Sequence, residues 1–419
     1  MTPKMRDVID FVEENDVKFI RLAFCDLFGK MKNISILPDL LPFALETGIP
    51  FDGSSIRGFT DVCHSDLRLI PDPDTIHVLP WRPQQGRVVR FYCNITDAQG
   101  RRFACDSRGI LQDAIAHAGE TGYVVKFGEE CEFYLFRQDE NGADTMNPYD
   151  NGEYLDVSPS DRCENIRREI CLTLEEMDIR PETSHHEMGP GQNEIVFRFA
   201  EALSAADNLL TFKDVVQAVA LRHGASVSFD PKPLPDTCGN GLHINLSLYK
   251  NDRNLLADET MTSYVQQAEH FMAGILHRVK EITLFLNSTQ QSYARLGEFE
   301  APAYISWSRE NRSQLMRIPF AMGDRRRCEL RSADPQINPY LVHALLIEAG
   351  LEGIRDKRPM PAPTNTDMTQ INPSELGSIE HLPASLTESA ALAKSSDFVR
   401  GVVGETVLEK FISGAEKTI

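Results

Sequence analysis

Two glutamates separated by one residue occur in the segment GEECEFYLF, and the apolar residues that follow them are typical of a central β-strand. On a strand, Glu130 and Glu132 point to one face about 6.6 Å apart, whereas Cys131 and Phe133 point to the other. An isolated pair of this kind usually lies on a solvated edge. In a central strand, however, paired carboxylates are costly unless a cation neutralises them. The segment therefore suggests a cation site.

A second pair of glutamates flanks a glycine-rich turn in HHEMGPGQNEIVFRF. Glycines 189 and 191 allow the chain to double back, so the carboxylates of Glu187 and Glu194 can meet at one point. The segment has neither the H-E-x-x-H spacing of zinc proteases nor the third glycine of a G-x-G-x-x-G loop. It therefore excludes those two motif classes and predicts a second carboxylate pair.

Two further strand-like segments carry polar side chains on one face. These residues are His243, Asn245 and Ser247 in LHINLSLY, and Arg327, Glu329 and Arg331 in RRRCELRSADPQINPY. A lone inward histidine is usually a hydrogen-bonded core residue, and arginines that flank a glutamate most simply form a salt-bridge ladder. Arginine forks also match carboxylate and phosphate oxygens. Each segment alone is therefore compatible with both a structural role and a ligand-binding role.

Taken together, the segments supply five inward glutamates, one inward histidine and several arginines. A site for two divalent cations and a nucleoside triphosphate requires such a set, because Mg²⁺ and Mn²⁺ prefer oxygen ligands. The chain has no Walker A loop. Cations and arginines must therefore supply the electrostatics of any phosphoryl transfer.

The elements that must position these residues indicate an α+β fold. The chain has 419 residues, which exceeds the size at which a single hydrophobic core stops growing. We therefore expect two domains, a small one over residues 1–98 and a large one over residues 99–419. Strands dominate the first part, after an opening amphipathic helix. The second part has helices between strands whose clean alternation favours an antiparallel sheet. The predicted helices there are SRGILQDAIAHAGE, NIRREICLTLEEM, AADNLLTFKDVVQAVALRHG and ETMTSYVQQAEHFMAGILHRVKEI.

The composition excludes several classes of protein. Lys and Arg number 43 against 62 Asp and Glu, and the net charge of -19 repels nucleic acid and anionic membranes. The nine cysteines form no C-x-x-C pair, which fits a reducing cytosol. The N-terminus lacks the apolar core of a signal peptide, and no stretch approaches the roughly 20 apolar residues of a membrane span. We therefore expect a soluble cytoplasmic protein without nucleic-acid or membrane partners.

The order of the motifs resembles that of the bacterial class I glutamine synthetases, from near residue 15 to about residue 415. The motifs are FDGSSIRGF, GEECEFYLF, HHEMGPGQNEI, GNGLHINLSL, STQQSYARLGEFEAP, NRSQLMRIP and RRRCELRSADPQINPYL. Any one of them could occur by chance, whereas seven in order are specific. The resemblance implies a small N-terminal β-grasp domain and a large catalytic domain with a curved antiparallel sheet, a half-barrel, flanked by helices.

The resemblance also implies site residues. One cation would be held by Glu132, Glu187 and Glu194, and the other by Glu130, His243 and Glu329. ATP would contact Glu182, Phe199, Ser247, Arg317 and Arg327. Glutamate would be bound by Arg295, Arg331 and Gly239, beside Glu132 and His243. The catalytic residues would be Arg312 at the transferring phosphoryl group, Glu300 on a closing loop, and Asp52 of a neighbouring subunit, which would bind and deprotonate ammonium.

The implied reaction is the ligation of ammonium to L-glutamate with ATP, through γ-glutamyl phosphate, and it uses two Mg²⁺ or Mn²⁺ ions. The implied assembly is a homo-oligomer, either a hexameric ring or a double-ring dodecamer, with active sites between adjacent subunits. Two alternatives stay open. One is a γ-glutamyl ligase for a small organic amine or polyamine, and the other is a non-catalytic structural or regulatory oligomer, against which the full ligand set speaks.

The chain departs from the family pattern in four places. Cys238 stands where the family has an asparagine that contacts glutamate, and Asn245 replaces a second histidine. The RLGEFEAP loop is about one residue short. The flap NTDMTQINPSE has no tyrosine, and the sequence ends at EKFISGAEKTI without the usual extended tail. These departures predict altered amino-acid selectivity, altered phosphate contacts, no adenylylation and weaker contact between stacked rings.

Overall fold

A computed structural model describes residues 2–257, 266–372, 374 and 376–417. Residues 259–265 of the predicted helix ETMTSYVQQAEHFMAGILHRVKEI and residues 373 and 375 of the predicted flap lie outside the described part. The described helices are α1 (Pro3–Glu14), α2 (Leu41–Thr47), α3 (Ser107–Glu120), α4 (Glu164–Glu175), α5 (Ala202–Arg222), α6 (Gln266–Leu286), α7 (Gln290–Arg295), α8 (Pro339–Arg355), α9 (Leu386–Ser395), α10 (Asp397–Val403) and α11 (Glu405–Glu416).

The first sheet is formed by the N-terminal part of the chain. Its strands are β1 (Val17–Cys25), β2 (Met31–Ile36), β3 (Ile49–Asp52), β4 (Asp66–Pro71), β5 (His77–Val78) and β6 (Arg87–Asp97). The spatial order is β2-β1-β6-β4-β3, with β5 paired to β6. Strands β1 and β6 are parallel and the other pairs are antiparallel. The predicted helix α1 is present, with the Thr2 hydroxyl accepting from the Met5 amide at its start.

The second sheet holds the polar segments singled out in the sequence. Its strands are β7 (Val124–Gln138), β8 (Asp144–Pro148), β9 (Pro181–His186), β10 (Gln192–Phe197), β11 (Ala200–Glu201), β12 (Ala225–Ser228), β13 (Leu242–Lys250), β14 (Arg253–Asn254), β15 (Trp307–Arg309), β16 (Met316–Ile318) and β17 (Cys328–Leu330). The main path runs β15-β16-β17-β13-β7-β10-β9. All pairs are antiparallel except β15 with β16, so the prediction of an antiparallel sheet is correct for nearly all of it.

Strand β7 is the centre of this sheet because its two faces carry different chemistry. Cys131, Phe133 and Leu135 are fully buried on one face, and helix α5 packs on this strand. Burial of such apolar side chains contributes roughly 1.5–3 kcal/mol each. The opposite face is therefore left for polar side chains, which include Glu130 and Glu132.

Buried ion pairs and hydrogen bonds join the first sheet to helix α5. The guanidinium of Arg108 lies 2.9 Å from Asp72 and 3.0 Å from Asp207, which is on α5. The Tyr92 hydroxyl donates to the carbonyl oxygen of Asp207 at 2.9 Å. These contacts fix the two sheets relative to each other through α5. The predicted boundary at residue 98 falls between the end of β6 and the start of α3.

No helix within the described ranges is both long enough and apolar enough to cross a membrane.

Candidate active site

A polar cleft of about 590 Å³ opens on the face of the second sheet opposite α5. Strands β7, β9, β10, β13 and β16 contribute its floor and walls, and the loop around residues 298–301 contributes its rim. The cleft contains carboxylates, imidazoles and guanidinium groups side by side. Such a concave site with convergent polar groups is the usual form of a catalytic or ligand-binding site.

Strand register brings the predicted carboxylates together. Glu194 of β10 lies directly opposite Glu132 of β7, and His243 of β13 lies directly opposite Glu130. Directly opposed residues on neighbouring strands have Cβ atoms about 5 Å apart. Four of the residues predicted from separate motifs therefore share one patch of the sheet.

The first ligand cluster consists of Glu130, His243 and Glu329, whose ligand atoms all lie within 4.8 Å of one another. His243 Nδ1 lies 3.4 Å from a carboxylate oxygen of Glu130 and 3.5 Å from one of Glu329. Glu329 is 1% exposed. The structure thus assembles the trio that the resemblance assigns to one cation.

The remaining carboxylates form two overlapping groups. Glu132, Glu194 and His243 make one, and His185, Glu187 and Glu194 make the other, each within 4.8 Å. His185 Nε2 lies 3.2 Å from Glu194, and its Nδ1 lies 3.6 Å from Glu187. The sequence reasoning missed His185. The signal that could have found it is the strand period of two, which sets His185 on the same face as Glu187.

The pKa values reflect the crowding of negative charge. Burial and the charge of Glu187 raise the pKa of Glu132 to about 8, and burial and the charge of Glu130 raise that of Glu194 to about 8. Burial opposes ionisation of Glu130 as well, but its contact with His243 lowers its pKa to about 2. Carboxylates whose pKa values differ this much within one cleft are typical of a functional site.

Arginines supply part of that positive charge. The guanidinium of Arg331 donates to Glu329 at 2.6 Å and to Glu300 at 3.4 Å, and that of Arg317 donates to the other oxygen of Glu329 at 2.8 Å. Arg295 donates to the carbonyl oxygens of residues 332 and 333. The Nε atoms of Arg295 and Arg331 are buried and have no hydrogen-bond partner within the described residues. Both side chains therefore retain capacity to bind an anion.

Asn245 links two charged residues of the cleft wall. Its amide nitrogen donates to Glu130 at 3.0 Å, and its amide oxygen accepts from Arg327 Nε at 2.8 Å. The residue that departs from the family pattern is thus a bridge between a predicted cation ligand and an arginine predicted to contact phosphate.

Replacing Asn245 by leucine is expected to raise the KM for ATP about tenfold, because a hydrogen bond to a charged group contributes roughly 1.5–3 kcal/mol. The measurement is steady-state phosphate release with ATP varied. The same change at exposed Asn147 provides the matched control. An unchanged KM for Asn245→Leu would show that the bridge does not position Arg327.

The loop before β13 passes close to Glu132 and depends on glycine. The Gly241 amide donates to Glu132 at 2.9 Å. A Cβ at Gly239 would collide with the carbonyl oxygen of Pro231 and the side chain of Arg295. Cys238 lines the cleft beside these groups. Burial and the charge of Glu132 raise the pKa of its thiol to about 11, so this side chain is neutral at physiological pH.

A buried hydrogen-bond network holds the turn that carries Glu187. Asp150 accepts from the Gly191 amide at 2.9 Å and lies 2.9 Å from His186 Nε2, while His186 Nδ1 lies 2.6 Å from the carbonyl oxygen of Glu187. Gly191 has a φ of +71°, which only glycine adopts without strain. The predicted reversal of the chain at Gly-Pro-Gly is therefore present, and the hydrogen bonds of Asp150 and His186 hold it in place.

We expect Asp150→Asn to lower the free energy of unfolding by about 3 kcal/mol, because it removes the buried carboxylate charge that contacts His186 Nε2 and the Gly191 amide. Chemical denaturation with fluorescence detection measures this loss. Asp252→Asn, at an exposed turn position, should change the stability by less than about 0.5 kcal/mol. Equal stabilities of the two variants would contradict the role assigned to the network.

The cleft contains most of the remaining predicted site residues, but not all of them. Glu182, Glu300, Arg312 and Arg327 line it. Phe199 and Ser247 do not, and the Ser247 hydroxyl donates to the Arg326 carbonyl oxygen at 3.1 Å. Asp52 lies at the end of β3 in the first sheet and accepts from the side chains of Ser54 and Ser55.

Tyr154 also lines the cleft, although no sequence motif pointed to it. It follows strand β8 in an irregular segment, and its ring contacts that of His185 at 5.5 Å in an edge-to-face arrangement. An isolated tyrosine in a loop carries no periodic signal. Only the packed structure could identify it.

The donor set fits divalent cations. Five carboxylates and two imidazoles form overlapping ligand clusters at this cleft, and burial together with neighbouring carboxylates raises the pKa values of Glu132 and Glu194. Mg²⁺ and Mn²⁺ prefer oxygen ligands and also accept an occasional imidazole nitrogen. Together with the arginines, the arrangement is suited to binding a polyphosphate and stabilising charge during its transfer.

Comparisons with known proteins give one consistent result. Residues 16–98 match the family model "Glutamine synthetase, beta-Grasp domain" and residues 104–418 match "Glutamine synthetase, catalytic domain". The chain is 43% identical to the glutamine synthetase of Clostridium saccharobutylicum over 97% of the chain and 93% of the relative. It is also 43% identical to that of Methanosarcina mazei, over 98% and 93%. The solved ADP complex of GmaS (conformation 1) aligns with a TM-score of 0.88 and 27% identity, covering 98% of this chain and 95% of the other.

Proposed function

Because the chain belongs to the glutamine synthetase family, we propose that it ligates ammonia to the γ-carboxylate of L-glutamate with ATP, giving L-glutamine, ADP and phosphate. The predicted family and the predicted α+β fold, with its β-grasp and catalytic parts, are confirmed. The observation that carries the proposed function is the cluster of Glu130, His243 and Glu329 beside Arg317 and Arg331 in one cleft. This cluster lies within the matched catalytic region.

Two divalent cations fit the carboxylate groups. Glu130, His243 and Glu329 would hold one, and Glu132, Glu187 and Glu194 would hold the other. When bound, Mg²⁺ or Mn²⁺ neutralises phosphate charge and orients the two substrates. The overlapping group with His185 supports the second position, because it places one more nitrogen donor beside Glu187 and Glu194.

The arginines of the cleft would bind and polarise the substrates. Arg317 and Arg327 would contact the ATP phosphates, and Arg312 would stabilise the phosphoryl group as it moves to the glutamate carboxylate. Arg295 and Arg331 would hold glutamate, and the unpartnered Nε atoms of both support this role. Fixed guanidinium groups in a partly buried cleft stabilise transferring charge more strongly than water does.

The loop that carries Glu300 would protect the activated intermediate from water. Its carboxylate contacts Arg331 at 3.4 Å, yet the Glu300 side chain is 53% exposed. A loop with one anchoring ion pair can open to admit substrate and close over it. Closure matters because γ-glutamyl phosphate would otherwise be hydrolysed.

Asp52 would complete the ammonium site from a neighbouring subunit. Hydrogen bonds from the side chains of Ser54 and Ser55 lower the pKa of Asp52, so it is ionised at neutral pH and can attract ammonium. Within this chain Asp52 lies outside the cleft. This separation supports a homo-oligomer in which each active site lies between two subunits. We propose that the oligomer is a hexamer or a double-ring dodecamer and that it is cytoplasmic.

A panel of amines tests the proposed reaction. Phosphate release is measured with glutamate, ATP and Mg²⁺ or Mn²⁺ in the presence of ammonium, methylamine, ethanolamine or putrescine. We expect the highest kcat/KM with ammonium. A strong preference for any organic amine would overturn the assignment of ammonia.

One observation favours a γ-glutamyl ligase for an organic amine as the second candidate. Cys238 brings a neutral thiol into the cleft wall, at the position where the family pattern has the side-chain amide of an asparagine. A site with fewer polar groups accepts a more apolar ligand. The same panel decides between the two ligases, and a failure to turn over any amine would instead support the non-catalytic alternative.

A further inference from the structure

A second cavity lies between the two sheets and shares no lining residue with the active-site cleft. It has a volume of about 540 Å³. Strands β1, β2 and β6 bound it on one side, and α5, β12 and the start of β8 bound it on the other. We refer to it as the intersheet cavity. Its volume is within the range of small-molecule sites.

Two arginines lie side by side on the wall that the first sheet provides. Arg21 of β1 and Arg90 of β6 are register partners on neighbouring parallel strands. Their side chains therefore leave the same face from backbones about 4.8 Å apart. Like charges directly opposite each other destabilise a sheet unless a counter-charge lies nearby.

Arg90 is buried but incompletely paired. It is 2% exposed, and its Nη2 donates to the Thr211 hydroxyl at 2.6 Å. Its Nη1 lies 3.8 Å from Asp214, beyond hydrogen-bond distance, and neither Nη1 nor Nε has a hydrogen-bond partner within the described residues. A buried guanidinium with two unsatisfied nitrogens is costly. An anion in the cavity would reduce that cost.

Two lysines add to the positive charge of the cavity. Among the described residues, Lys213 of α5 donates only to an uncharged acceptor, the carbonyl oxygen of Pro335, and Lys30 has no ion pair within 4 Å. Burial and the charges of Arg82 and Arg90 lower the pKa of Arg21. A lowered pKa is the direction expected for a cation that lies close to other cations.

The carboxylates that line the cavity do not balance these cations. Among these carboxylates, Asp214 alone comes within 4 Å of one of the cations, at 3.8 Å from Arg90. Asp144 accepts from Gln138 at 3.1 Å, and Asp230 accepts from Gln336 at 3.0 Å. The whole chain carries a net charge of -19, so this local excess of cations is not a consequence of composition.

We propose that the intersheet cavity binds a small dianion, a dicarboxylate or a phosphate, between Arg21, Arg90 and Lys213. Guanidinium forks match the oxygens of both anion types. The bound anion bridges the first sheet and helix α5, and α5 packs on β7, which carries Glu130 and Glu132. It therefore stabilises the packing between the sheets on which the active-site strand rests.

The test measures anion affinity on the full-length protein without ATP or divalent cations. Succinate and inorganic phosphate are titrated separately by calorimetry, against sodium chloride of equal ionic strength, and thermal unfolding is followed in parallel. We expect saturable binding of one of the two anions and a matching rise in Tm. The anion with the higher affinity identifies the class of ligand.

Variants assign the binding to the cavity. Arg21→Gln and Arg90→Gln should each weaken binding about tenfold or more, because each removes a charge-assisted hydrogen bond. Arg6→Gln removes one positive charge from an exposed position of α1 in the same part of the chain and should leave the affinity unchanged. Arg21 is only partly buried, so Arg21→Gln decides the question even if Arg90→Gln does not fold.

Three results would overturn the proposal. The first is that neither succinate nor phosphate binds to the unmodified protein. The second is that Arg21→Gln binds the anion as tightly as the unmodified protein. The third is that Arg331→Gln abolishes binding while Arg21→Gln does not, since the anion would then occupy the active-site cleft.

Discussion

Replacing Glu329 by glutamine is expected to lower kcat by about a thousandfold or more while the protein remains folded. Glu329 is buried and is the point at which two guanidinium groups and one imidazole meet: it lies 3.5 Å from His243, and it accepts from Arg317 at 2.8 Å and from Arg331 at 2.6 Å. Glutamine keeps the shape of the side chain but removes its charge. The variant would therefore lose a cation ligand and leave two arginines without their partner.

The measurement is phosphate release with glutamate, ammonium and ATP at saturating Mg²⁺. Isothermal calorimetry with Mg²⁺ or Mn²⁺ alone should show the loss of one class of binding event. The matched control is Glu120→Gln, at the exposed end of α3, which should retain full activity. Near-normal turnover of Glu329→Gln would refute the cation assignment for Glu130, His243 and Glu329 together. The same holds for His243→Ala.

Replacing Arg331 by lysine is expected to lower kcat/KM for glutamate about a hundredfold. Lysine keeps the positive charge but cannot make the forked contact by which Arg331 reaches Glu329 and Glu300 at once. The buried Nε–H group of Arg331, which has no hydrogen-bond partner within the described residues, is lost as well. The effect should fall on glutamate more than on ATP, because the ATP phosphates are assigned to Arg317 and Arg327.

Steady-state kinetics with each substrate varied in turn separate these effects. Arg68→Lys, on β4 of the first sheet and outside the cleft, is the matched control and should leave both constants unchanged. If Arg331→Lys raised the KM for ATP but not for glutamate, Arg331 would belong to the nucleotide site. If neither constant changed, the residue would have only a structural role.

The sequence could predict the fold class and the inward faces of the ligand strands because both depend on local periodicity, whereas the grouping of the ligands around two cations was implied by the family resemblance. The period of two in GEECEFYLF and LHINLSLY set the inward faces of β7 and β13 correctly, and register then placed His243 opposite Glu130. The strands β3 and β4 were not predicted. Both strands are short, and Pro50, the second residue of β3, weakens any strand pattern there.

Other features could not be predicted because they depend on contacts between distant segments. The Asn245 bridge requires β13 and the segment before β17 to meet, and Tyr154 reaches the cleft from an irregular loop. The pairing of His185 with Glu194 depends on the register of β9 with β10. The two-domain boundary at residue 98 stays a prediction. The roles of the individual site residues and the oligomeric assembly also stay predictions, because they depend on bound substrates or on other subunits.

The order in which the ligands occur along the chain has a consequence for folding. Glu130 and Glu329 lie about 200 residues apart and meet only after β7, β13 and β17 have paired. Closing so long a loop is entropically costly, and pairings of high sequence separation form slowly. Divalent cations therefore cannot template the early sheet. We expect them to slow unfolding of the finished protein while leaving its refolding rate nearly unchanged.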